Sequence, residues 1–135
     1  NIEGKKVNNI VIRITRNISR ILGYSLNKIS YKKAIEKIDT PYYEEDRVYP
    51  NIIPGWDNSP RRGPGAFIFH KATPALFKKH VKMILNRIKD KPDEDKVIFL
   101  KSWNEWAEGN YMEPDLKWGK GYIRALREAL EEDAK

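Results

Sequence analysis

Apolar residues recur along this chain with two different periods, and the alternation between them outlines the fold. Val7, Ile10, Val11, Ile14, Ile18, Ile21 and Leu22 repeat at helical spacing, which predicts a helix over 7–22 closed by Gly23. Ser30 is placed to cap a short helix with Ala34, Ile35 and Ile38 on one face, ended by Asp39, Thr40 and Pro41. Val48, Tyr49, Ile52 and Ile53 are strand formers, so a buried strand is expected from Arg47 to Ile53, stopped by Pro54 and Gly55. A long loop rich in Gly, Pro and Arg follows from Trp56 to Gly65, then a short extended stretch from Phe67 to Phe69. Thr73 with Pro74 behind it opens a helix through Leu76, Phe77, His80, Val81, Ile84, Leu85 and Ile88. Beyond the charged linker Lys89–Asp95, Val97–Leu100 reads as a second buried strand and Ser102–Trp118 as a second long loop. Tyr122, Ile123, Leu126, Ala129 and Leu130 give a closing helix one apolar face.

From Arg47 onward the order is strand, loop, helix, strand, loop, helix. That order argues for an α/β fold with parallel strands joined by crossover helices. In such sheets ligand-binding groups sit on the loops after the carboxyl ends of the strands. Both unusual loops occupy that place.

Composition narrows the chemistry. The chain has 135 residues, 40% of them apolar and 33% charged, which suits one globular unit and excludes a disordered segment. A complete eight-stranded α/β barrel typically needs about 250 residues. The first residue is Asn1 and not Met, so the sequence is expected to be trimmed or to begin inside a longer protein. It contains no membrane-length apolar run and no leader-like segment. Without cysteine there are no disulfides, thiol nucleophiles or thiolate zinc sites. His70 and His80 lack companion ligands at metal-binding spacing, so no metal site is assigned, although a carboxylate site for a hard cation stays open. The formal charge of +7 gathers before Pro41, on Lys5, Lys6, Arg13, Arg16, Arg20, Lys28, Lys32, Lys33 and Lys37. Such a segment suits an anionic lipid or nucleotide-linked donor, or is simply a solvated face. No aromatic-interleaved basic motif argues for nucleic acid.

The richest stretch is Lys101–Pro114, where Glu105, Glu108 and Glu113 share one loop with Trp103, Trp106, Tyr111 and Asn104. Glycoside chemistry needs this inventory: one carboxyl group to protonate the leaving oxygen and another to act at the sugar. Glu105 and Glu108 stand three apart, so one turn can bring both to one face and push their pKa values apart. An acidic turn leading into the next helix is the other reading. The second stretch runs from Pro50 to Gly63. In it Trp56 can form a sugar platform, Asp57 can bind hydroxyls, and Arg61 or Arg62 can face an acidic sugar or a phosphate. Equally, Asp57-Asn58-Ser59-Pro60 can be only a turn.

Trp-Asn-Glu-Trp-Ala-Glu-Gly from Trp103 to Gly109, closing in Met112-Glu113-Pro114, resembles the last motif of WbsX-type glycosyltransferases. Pro54-Gly55-Trp56-Asp57-Asn58-Ser59-Pro60-Arg61 resembles a second motif of the grouping, which includes endo-α-mannosidase-type retaining glycoside hydrolases. The likeness runs from Ile29 to Leu130. It implies a (β/α)8 TIM-type barrel, incomplete here. On that reading 1–135 is a single partial catalytic domain, with 1–40 a basic helical lead-in and 41–135 the last β/α units. It also implies a role in cell-surface polysaccharide synthesis of the O-antigen type, by a two-carboxylate mechanism without a cofactor. Glu105 and Glu108 are the implied catalytic pair, Glu105 engaging the sugar 2-hydroxyl and Glu108 acting as acid, then base. Trp56, Asp57, Arg61, Asn104, Trp106, Tyr111 and Glu113 are the expected substrate contacts. Ala107 stands where the hydrolases usually place His, which leaves transfer against hydrolysis, and the sugar, open. The expected setting is cytoplasmic, with a glycan or sugar-donor substrate and peripheral membrane association left open. The rivals are an endo-acting retaining hydrolase and a non-catalytic glycan-binding remnant, because a truncated barrel exposes unpaired strand edges.

Overall fold

The computed structural model describes residues 13–15, 17–23 and 25–133. The predicted first helix is helical at 13–15 and 17–22, while Val7, Ile10 and Val11 lie outside the described residues. The described part of its apolar stripe does not enter the core: Ile14, Ile18, Ile21 and Leu22 are exposed, whereas Ser19 is buried and its hydroxyl accepts from the Leu26 amide.

The lead-in also contains a strand that periodicity did not reveal. Strand β1, Lys28–Ser30, runs parallel to β3, Ile68–His70, with Ile29 opposite Phe69. Three residues carry too few alternations to be seen in sequence. Ser30 ends β1 and caps helix α1, Tyr31–Ile38, by accepting from the Lys33 amide. Tyr31, Ala34 and Ile35 are buried on its inner face, and the Tyr31 hydroxyl donates to the Ile53 carbonyl.

Strand β2, Asn51–Ile52, pairs in parallel with β4, Phe99–Leu100, and the chain between them includes β3 and the helix Pro74–Ile88. This is the predicted parallel pairing across a crossover helix. Both strands are shorter than the apolar runs that announced them, and they are covered on one side only. Ile52 and half-buried Leu100 face the helices, while Tyr49, Val97 and Phe99 remain exposed. Because side chains alternate across a strand, helices lying on one face leave every second residue open.

Helix α2 is a single turn, Ser59–Arg62, inside the predicted loop. Helix α3, Pro74–Ile88, follows its sequence signal closely. The Thr73 hydroxyl accepts from the Leu76 amide, Pro74 occupies the first turn, and Phe77, His80, Val81, Ile84, Leu85 and Ile88 are buried. It packs against helix α4, Gly121–Asp133, through Tyr122, Ala125 and Ala129, with Ile52 and Met112 joining the same core. Outside that core, Lys78 bridges Glu128 and Glu132 of α4. Such solvent-exposed ion pairs contribute little to stability, because water and salt screen them. Arg87 ties α3 back to the end of α1 through Asp39, at 2.7 Å, and to Glu44, at 2.6 Å.

His80 is buried edge-on to Tyr31, with no hydrogen-bond partner on either ring nitrogen among the described residues. Burial pushes its pKa from 6.5 down to about 4, only partly opposed by the Asp39 charge. Below its ordinary pKa the unfolded chain therefore binds the proton that the folded one refuses. This contribution is present above about pH 6.5 and is lost as pH falls toward 4. Its size is on the order of 3 kcal/mol. Urea unfolding of the native chain and of His80→Met at pH 7 and pH 4.5 is expected to show a shallower acid loss in the variant; parallel losses would contradict this account.

Candidate active site

The two long loops leave the carboxyl ends of β2 and β4 and meet backbone to backbone. The Asp57 amide donates to the Glu108 carbonyl at 2.7 Å. Gly109, at φ +55°, lies so close that an added Cβ would sit 2.9 Å from the Asp57 amide nitrogen and from its Cβ. A second anchor holds the first loop, where the Phe69 amide donates to the Trp56 carbonyl at 2.7 Å. The Asp57 carboxylate accepts from the Ser59 amide, and the buried Asn58 side chain accepts from the Phe67 amide. The motif therefore forms a hydrogen-bonded turn that runs into α2. The turn serves to aim Trp56 and Arg61.

The second loop is more ordered than a loop reading allows. Strands β5, Asn104–Glu105, and β6, Asn110–Tyr111, form an antiparallel hairpin around a 3-10 turn at Trp106–Glu108. Its base is fastened by Asn110, fully buried, whose side-chain carbonyl accepts from the Ser102 amide at 2.9 Å. The Ser102 hydroxyl donates back to the Asn110 carbonyl at 2.7 Å. Trp106 stacks on Tyr111 with ring centres 3.8 Å apart and planes 12° from parallel. The Trp106 indole donates to Glu113 at 2.6 Å, and the Tyr111 hydroxyl donates to Asp115. Burial, reinforced by the Asp115 charge, raises the Tyr111 pKa above 10, so it stays a hydroxyl.

The outcome for the candidate residues is divided between two adjoining cavities. Glu105 and Glu108 line one of about 360 Å³ together with Trp56 and Arg61. The Arg61 guanidinium meets Glu108 at 2.6 Å, and the Glu108 side chain is only 12% exposed. Glu105 stands exposed at the rim. Asp57, Trp106 and Tyr111 instead line the neighbouring cavity of about 450 Å³, which also borders on Trp56. Asn104 and Glu113 line neither: Asn104 is exposed on β5, and Glu113 is engaged with the Trp106 indole.

The structure adds Asn58, Arg62 and Lys101 to the first cavity and Asp115, Trp118 and Tyr122 to the second. Lys101 had a visible signal, since it directly follows β4 at the end where ligands gather. Its ammonium lies 5.4 Å from the centre of the Trp56 ring. Among the described residues no three His, Asp or Glu side chains converge as metal ligands, and no helix is long and apolar enough to cross a membrane.

Carboxylates, indoles and an arginine gather at the strand ends of a mixed α/β fold. Residues 2–126 match the family described as glycosyltransferase WbsX, and the chain belongs to that family. It is 37% identical over 84 residues to uncharacterized proteins WxcX from two strains of Xanthomonas campestris pv. campestris. That stretch is 62% of this chain but 12% of the length of each relative, so the chain spans a small part of the proteins it resembles. No solved structure matches it.

The contact between the loops predicts two different glycine phenotypes. Gly119 has nearly the same φ, +53°, but open space where a Cβ would go. Gly119→Ala should cost only the left-handed backbone, about 1 kcal/mol. Gly109→Ala should cost a further 1–3 kcal/mol, roughly, because Asp57 must move. Urea midpoints of the two variants test this, and equal losses would rule out the close approach.

Proposed function

We propose that this chain is the C-terminal part of a (β/α)8-barrel enzyme that forms or breaks glycosidic bonds in cell-surface polysaccharide. Glu105 and Glu108 are its reacting carboxylates. The observation that carries the proposal is that both line one cavity at the carboxyl ends of β2 and β4, beside Trp56. That is where a barrel enzyme keeps its chemistry. The one-sided covering of β2 and β4 supports the barrel reading, because parallel strands are ordinarily buried on both faces. Further strands from a longer polypeptide would cover Phe99 and Val97.

In the proposed cycle Glu105 takes the proton of the sugar 2-hydroxyl, and that oxygen closes on the anomeric carbon. Glu108, which enters this step carrying a proton and not as the anion paired with Arg61, gives that proton to the departing glycosidic or donor oxygen as its bond to the anomeric carbon breaks. Glu108, now anionic, then takes a proton from an incoming hydroxyl, of water or of an acceptor sugar, which opens the three-membered ring. The 2-oxygen recovers its proton from Glu105. Arg61 fixes the direction of the Glu108 carboxylate, and Trp56 offers a flat apolar wall to the sugar ring. Water or a sugar hydroxyl in the second step decides between hydrolysis and transfer.

Glu105→Gln and Glu108→Gln, made in the polypeptide that carries the whole barrel, should each lower kcat by roughly 10²–10⁴-fold. Circular dichroism and unfolding midpoints should stay unchanged. Near-native kcat in both variants would remove the pair from the reaction.

A further inference from the structure

We infer that the cavity of Glu105 and Glu108 takes a sugar bearing an anionic group, a carboxylate or a phosphate, held by Arg62 and Lys101. The inference rests on reading this cavity as the sugar site and specifies what kind of sugar enters it. Three cations, Arg61, Arg62 and Lys101, line the cavity against two carboxylates. Arg61 and Glu108 neutralise one another at 2.6 Å. What remains is Glu105 against two cations, an excess of one positive charge in a concave space.

Neither Arg62 nor Lys101 has an ion-pair partner among the described residues. Lys101 lies over the Trp56 ring, the surface expected to carry the sugar. Arg62 ends the single turn of α2, one residue after the arginine that holds Glu108. Two unpaired cations lining one cavity repel each other, and a cleft concentrates their field. Both side chains are donors without acceptors, so they suit an anion better than a neutral hydroxyl pattern. The arginine fork matches carboxylate or phosphate oxygens in pairs.

The test measures binding of methyl α-glucuronide, glucose 1-phosphate and methyl α-glucoside to the polypeptide that carries the whole barrel, by calorimetry at low and high salt. At least one anionic probe should bind ten-fold or more tightly than the neutral glucoside, and the advantage should shrink as salt rises. Preference for the glucuronide marks an acidic sugar; preference for the phosphate marks a phosphorylated sugar or donor. Arg62→Gln with Lys101→Gln should abolish the advantage, and Lys101→Arg, which keeps the charge, should retain it. Equal affinity for all three probes, including no binding by any, overturns the inference, as does an advantage that survives the double substitution. The carboxylate pair is judged separately, by kcat of the glutamine variants. Loss of the anion preference leaves that reading standing, and native kcat in those variants leaves the anion site standing.

Discussion

The contact between the Asp57 amide and the Glu108 carbonyl holds the site together, because it joins two loops that arrive from different strands. Gly109 is what makes the approach close enough, since any Cβ there would strike Asp57. Once the backbones touch, Arg61 can reach Glu108, and Trp56 comes to lie at the border of both cavities. Without that contact each loop would still have its own internal bonds. Glu108 and Trp56 would then share no common geometry.

Rigid support stands behind each loop. Asn58, held by the Phe67 amide, stiffens the first, and the Ser102–Asn110 pair closes the base of the second. Beneath them α3 and α4 supply the apolar mass that keeps β2 in place. The helices cover one side of the strands and leave Phe99 and Val97 open. The proposed barrel would cover that open side.

Division of labour between the two cavities gives the site its chemical logic. Three cations and two carboxylates line one, while the Trp106–Tyr111 stack lines the other together with Asp57, Asp115 and Lys117. Burial and the Asp115 charge hold the Tyr111 hydroxyl in its protonated form, and it donates to Asp115.

Local patterns in the sequence determined α1, α3 and α4, together with the caps at Ser30 and Thr73, because those depend on neighbours within a turn. They also announced the two loops that line the cavities, since clusters of Trp, Glu, Arg and Pro are visible without a fold. Tertiary structure alone decided the pairing of β1 with β3, the short extent of β2 and β4, and the hairpin inside the second loop. It also decided that Glu113 meets Trp106 and that Lys101 meets Trp56. The physical reason is the same in each case. Helical periodicity is a property of adjacent residues, whereas strand partners, loop contacts and the sharing of a cavity are set by residues as far apart as Arg61 and Glu108, which no local pattern connects.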